Sequence, residues 1–187
     1  MSRRFNRAIV VDTSVVRAAG PSEESRPPGG RCHKCLRLML DRRIGVVMTS
    51  DVWKEWSKVD SQTGRRHMSS YASKWLTAMT ARKLRLDVQP PPTSERLLAA
   101  IREDLETEKK RTAVSKDVLV VDAALASDCR VLSLDDKVRL ALRDLCSSFG
   151  GIAKIHWLSP TQKECIPWLE NEAPDNPVLM LCAGIVD

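Results

Sequence analysis

Apolar and polar positions along the chain fall into short runs of two kinds. Ala8 to Val11 is continuously apolar, the pattern of a strand buried on both faces. Ile44 to Met48, Val131 to Leu134 and Ile152 to Trp157 read the same way, and Leu84 to Val88 predicts a further short strand. Helical spacing fills the intervals. Val15 to Ala19 predicts a short helix, and Cys32 to Arg43 places Cys35, Leu36, Met39 and Leu40 on one face. Thr49-Ser50-Asp51 offers N-caps for a helix through Val59, with Val52, Trp56 and Val59 inward. Met68, Tyr71, Ala72, Trp75, Leu76 and Met79 form a helical stripe that reads as core or as a surface for a second copy of the chain.

Ser94 is placed to cap a helix running to about Lys110, with Leu97, Leu98, Ile101 and Leu105 inward. Lys109-Lys110-Arg111 would close that helix and suit its dipole. Asp117 to Ser127 and Lys137 to Leu145 predict two more helices. Helices alternating with short apolar strands predict an α/β fold, a three-layer α/β/α sandwich around a central, mostly parallel sheet.

Gly20 to Gly30 is rich in Gly, Pro and Ser and reads as a mobile loop, and Pro90-Pro91-Pro92 as a linker. The expected organisation is one domain over residues 1–157, with a loop insertion at about 20–31. Residues 158–187 then form a C-terminal tail packed on the same domain, pinned by Trp157 and Trp168.

At 187 residues and 20.9 kDa the chain suits one medium domain. Its 43% hydrophobic and 29% charged residues exclude collagen-like and fully disordered classes. No apolar run approaches the ~20 residues of a membrane helix. The stretch after the basic N-terminus is too short and too soon acidic for a signal peptide, so the expected location is cytoplasmic. In that setting the six cysteines are expected to be reduced, with Cys129, Cys146 and Cys182 as small core residues. Cys32-His33-Lys34-Cys35 lacks the second ligand pair of a zinc site and reads as a helix start with one buried cysteine.

Charge changes the picture. Residues 1–85 carry 18 Lys/Arg against 7 Asp/Glu, a net of +11, whereas residues 86–187 carry 12 against 17, a net of −5. A basic half suggests a polyanionic partner, most often nucleic acid. Arg65 and Arg66, with Arg82, Lys83 and Arg85, flank the Trp75 helix and are the expected nucleic-acid contacts.

In open parallel sheets ligands bind beyond the carboxyl ends of the strands. The first strand runs into Asp12-Thr13-Ser14. The second runs into Thr49-Ser50-Asp51, with Glu55 one turn later. Asp117 opens the helix before the strand that ends in Asp135-Asp136. Carboxylates gathered at one sheet edge repel each other, and a divalent cation relieves that conflict. Mg2+ and Mn2+ favour oxygen ligands and can direct a water against a phosphodiester.

The run Val10-Val11-Asp12-Thr13-Ser14 resembles the opening motif of the PIN-domain nucleases. Glu55, Asp117 and Asp135 match the family's second, third and fourth acidic positions, with Ser133 two residues before Asp135. The resemblance covers roughly residues 8–157. It implies the three-layer fold, Mg2+ or Mn2+ held by Asp12, Glu55, Asp117 and Asp135, and hydrolysis of RNA, in many small members as the toxin of a toxin–antitoxin pair. Thr13, Ser14 and Ser133 would support the carboxylates. A processing or defence nuclease on RNA or single-stranded DNA, and a non-cleaving scaffold, are the other readings.

Two further acids stay open. Asp122 lies five residues beyond Asp117, about 140° around a helix, so both cannot face one ion squarely. Asp136 would replace or assist Asp135 if the strand ended one residue later. A homodimer and an antitoxin protein are expected partners under this resemblance, and a membrane is not.

Overall fold

The computed structural model describes residues 5–62, 64 and 66–184. Five short parallel strands form one sheet: β1 (Ala8–Val11), β2 (Gly45–Met48), β3 (Arg85–Asp87), β4 (Arg130–Leu132) and β5 (His156–Leu158). Their spatial order is β3-β2-β1-β4-β5. The chain therefore winds outward from β1 to one side, returns across it, and winds outward to the other. Every residue of β1, β2, β4 and β5 is buried, as a sheet covered on both faces requires; β1 and β2 are apolar throughout, while β4 and β5 open with the buried Arg130 and His156.

The helices are α1 (Thr13–Ala18), α2 (Gly29–Asp41), α3 (Ser50–Ser57), α4 (Ser70–Ala81), α5 (Glu95–Asp104), α6 (Glu108–Leu125), α7 (Asp136–Asp144) and α8 (Cys165–Glu170). Helix α2 packs against α4 and α8, and α6 packs against α5 and α7, completing the three-layer α/β/α arrangement. No helix among the described residues is long and apolar enough to cross a membrane.

Several boundaries depart from the expected ones, each for a local reason. The helix expected from Ser94 to about Lys110 breaks at Leu105, which is fully buried in extended backbone. Thr107 then starts α6 by accepting the Lys110 N–H at 3.2 Å. Lys109, Lys110 and Arg111 thus lie in the first turns of α6 rather than at a helix end, and Asp117 is mid-helix rather than at its opening. Val59 lies outside α3 and is 56% exposed, not inward. Strand β4 ends at Leu132, so Leu134 belongs to the turn, and Ile152 sits in a 3-10 turn ahead of β5. Of the stripe, Ala72, Trp75, Leu76 and Met79 are buried in the core, Tyr71 is half-buried and Met68, also half-buried, precedes α4.

Helix α2 starts at Gly29, three residues before the expected Cys32. The Gly20 N–H donates to the Gly29 carbonyl at 3.0 Å and closes the preceding loop on itself. A side chain at Gly30 would meet the Glu23 carbonyl, so only glycine allows the loop to lie against the helix there.

The cysteine expectations need three corrections. Cys146 and Cys182 form a disulfide, because the tail runs back beside β5, where the Leu181 N–H donates to the Ile155 carbonyl at 2.8 Å. Both Cys32 and Cys35 are buried, and the Cys35 and Cys165 sulfurs are 3.7 Å apart. Cys129 is half-buried at a left-handed turn (φ 54°) before β4, not in the core.

Candidate functional site

Because all five strands are parallel, their carboxyl ends share one edge, and the chain reverses direction across the sheet between β1 and β4. That crevice is where an open α/β sheet offers a binding site. The Asp12 N–H, leaving β1, donates to the Leu132 carbonyl of β4 at 2.9 Å, so the two loops begin in contact.

Two hydroxyls hold Asp12. The Ser133 Oγ–H donates to Asp12 Oδ2 at 2.9 Å, and the Ser14 Oγ–H donates to the same oxygen, which also takes the Ser14 N–H at 3.3 Å. Each hydroxyl in turn accepts a backbone N–H at 3.0 Å: Ser14 from Leu134, Ser133 from Asp135. Ser133 is buried, so its two hydrogen bonds are strongly specified. The Thr13 hydroxyl makes no hydrogen bond with the described residues and takes no part in this clasp.

Asp135 caps α7 by accepting the Lys137 and Val138 N–H groups on Oδ1, each at 3.0 Å. Glu55, on α3, pairs with Lys58 through Oε1. Asp117 lies on the same face of α6 as the buried Val114 and Val121. Its carboxyl makes no hydrogen bond or ion pair with the described residues. Burial, followed by the charges of Asp12, Asp135 and Glu55, pushes Asp117 up to about 7. The other three sequence-predicted acids therefore act electrostatically on Asp117.

Their oxygens divide the same way. Asp12 Oδ1, Asp135 Oδ2 and Glu55 Oε2 take no bond from the described residues, and neither does either oxygen of Asp117. Among the described residues, no three acidic, histidine or cysteine side chains stand in an arrangement that could hold a metal ion as placed. The chemistry of the donor set nevertheless fits a hard divalent cation: four carboxyl groups, oxygen donors only, with Asp117 raised by burial and then by the charges of the other three.

The secondary acids fall elsewhere. Asp122 accepts a hydrogen bond from the Thr93 hydroxyl, and burial raises its carboxyl without a contribution from the other four acids. Asp136 is exposed and pairs with Arg139 at 3.1 Å. With β4 ending at Leu132, the condition under which Asp136 would replace Asp135 is not met.

The expected basic contacts divide too. Arg82 and Lys83 precede β3 and Arg85 opens it, so they sit at the amino edge of the sheet, a strand length of about 10 Å from the acidic edge. Arg85 is also paired with Asp87 at 2.6 Å. They stand away from the carboxylates, at the other edge of the sheet. Arg66 is exposed in the connection between α3 and α4, and Arg65 lies outside the described residues.

Sequence reasoning missed Lys58, whose i,i+3 spacing from Glu55 was the available signal, and Lys116, whose charge eases the ionisation of Asp117. Comparison with protein-family models, with curated proteins and with solved structures finds no match.

Proposed function

We propose that the chain is a PIN-like endoribonuclease that hydrolyses RNA phosphodiester bonds at the Asp12, Glu55, Asp117 and Asp135 edge, using Mg2+ or Mn2+. One observation carries this reading. A half-buried carboxyl with no partner among the described residues, Asp117, is raised by burial and then by three other carboxylates at the crevice between β1 and β4. Structural acids are paired or solvated, whereas acids kept in mutual repulsion are a mark of functional sites.

The four acids would hold the cation through their free oxygens. A bound cation supplies Lewis-acid stabilisation of the phosphate and lowers the pKa of an attacking water. The remaining work belongs to this chain. Ser14 and Ser133 fix the orientation of Asp12 and leave its second oxygen free. Asp117, raised to about 7 by burial and the other acids, is partly protonated near neutral pH and would release that proton to bind a cation. Glu55 and Asp135 stay anchored to Lys58 and to the start of α7, so the set is spread over four separate elements.

One observation favours a second reading, a scaffold that binds nucleic acid without cutting it: no three of the side chains converge on one ion as placed. Cleavage of a labelled single-stranded RNA with Mn2+ or with EDTA, beside Asp12→Asn and Asp117→Asn, separates the two. Metal-dependent cutting that disappears in both variants supports the nuclease. Binding without cutting, on RNA and on single-stranded DNA, supports the scaffold.

A further inference from the structure

A groove of about 820 Å3 opens at the amino end of α4. Arg17 of α1, Arg66 and Lys74 of α4 line it, with the hydroxyls of Ser69, Ser70 and Ser73 between them. The three cations are exposed, and none is in an ion pair with a described carboxylate. Asp60, on the same wall, receives the Gln62 N–H at 2.9 Å. No Trp, Tyr or Phe lines the groove.

Two hydrogen bonds tie the groove to the acidic edge. The Ser69 N–H donates to the Val16 carbonyl at 3.0 Å, on the short helix that Asp12 caps. The His67 Nδ1 meets the Glu55 carbonyl at 3.1 Å. The groove is thus built on the same two elements, α1 and α3, that carry Asp12 and Glu55.

We propose that this groove binds the phosphate chain of a nucleic-acid strand on the Glu55 side of the carboxylate edge. The proposal deepens the nuclease reading and takes the direction of the strand from it. Three cations with no ion pair among the described residues would release condensed ions from a polyanion on binding. The serine hydroxyls and the positive end of α4 add donors suited to phosphate oxygens. No Trp, Tyr or Phe offers the bases a broad platform, and the His67 ring is turned with its Nδ1 to the Glu55 carbonyl, so the groove grips the backbone and does not select sequence.

The test uses Asp12→Asn protein in EDTA, which keeps strands intact, with fluorescein-labelled 12-residue oligouridylate and oligothymidylate read by anisotropy. In that background Arg17→Gln/Arg66→Gln/Lys74→Gln weakens binding of both strands by about tenfold or more at 100 mM salt. It also flattens the log–log salt slope by about 2, at ~0.7 per single-strand phosphate contact. Lys74→Gln alone flattens the slope by about 0.7, which keeps the test informative if the triple variant folds poorly. Arg82→Gln/Lys83→Gln, on the opposite edge, leaves affinity and slope unchanged. Parental affinity and slope in the folded triple variant overturn the proposal, as does a parent that binds neither strand at 50 mM salt. The two readings fail separately. RNA left uncut by the wild-type chain with Mn2+ removes the nuclease while the binding results still judge the groove.

Discussion

The Ser133 hydroxyl donates to Asp12 Oδ2 at 2.9 Å across 121 residues of chain. With the Asp12 N–H on the Leu132 carbonyl and the Leu134 N–H on the Ser14 hydroxyl, this contact joins the ends of β1 and β4, the two strands between which the winding of the sheet reverses. Together with Ser14 it occupies Oδ2 and leaves Oδ1 of Asp12 free.

Ser133→Ala should therefore do two kinds of damage. Losing a buried hydroxyl that bonds Asp12 and the Asp135 N–H should lower stability by about 1–3 kcal/mol, measured by urea denaturation. If the acids act as proposed, Mn2+-dependent RNA cleavage should fall by about 10–100-fold, the range for a residue that orients a metal ligand. Unchanged cleavage in a folded variant would remove the positioning role.

Asp117→Asn should stabilise the metal-free protein at pH 8 while abolishing cleavage. Folding raises this carboxyl to about 7, so the folded state binds more protons than the unfolded state between about pH 4 and 7. The wild type accordingly loses stability as pH rises through that window, and the asparagine variant does not. Thermal melts in EDTA at pH 4.5 and pH 8 should diverge most at pH 8, by a few degrees.

Metal uptake should be coupled to the same group. Titrating Mn2+ into unbuffered protein at pH 6.5 should release a fraction of a proton per chain, and Asp117→Asn should release less. Mn2+ should also raise the melting temperature of the wild type and not that of the variant. Equal proton release in both proteins would separate Asp117 from the metal site.

His156 should make the tail acid-sensitive. Its Nε2 accepts the Asn176 N–H at 3.0 Å, which needs the neutral ring, and burial followed by the Arg130 charge lowers its pKa. A depressed histidine stabilises the fold above its unfolded pKa of about 6.5, and that stability is lost as pH falls below it. Melting temperature should drop from pH 7.5 to pH 5.5, and His156→Gln should flatten that part of the profile.

Reducing the Cys146–Cys182 disulfide, which closes a separation of 36 residues, should cost about 3–4 kcal/mol on the chain-entropy estimate. Urea midpoints with and without dithiothreitol, beside Cys182→Ser, would measure it. A cleavage activity that survives reduction would show that the tail supports the fold and not the acidic edge.

The sequence by itself determined the elements whose information is local. A strand buried on both faces must be apolar throughout, so β1 and β2 were legible from Ala8–Val11 and Ile44–Met48 alone. Parallel strands put their carboxyl ends on one edge, which made Asp12, Glu55, Asp117 and Asp135 readable as a group. What depended on distant partners was not legible. The break at Leu105 follows from its burial, and the role of Ser14 and Ser133 follows from the meeting of two loops. The Cys146–Cys182 bond follows from the return of the tail along β5. Only the tertiary structure could separate Arg82 and Lys83 from Arg17, Arg66 and Lys74, because charge along a chain carries no record of which sheet edge it will occupy.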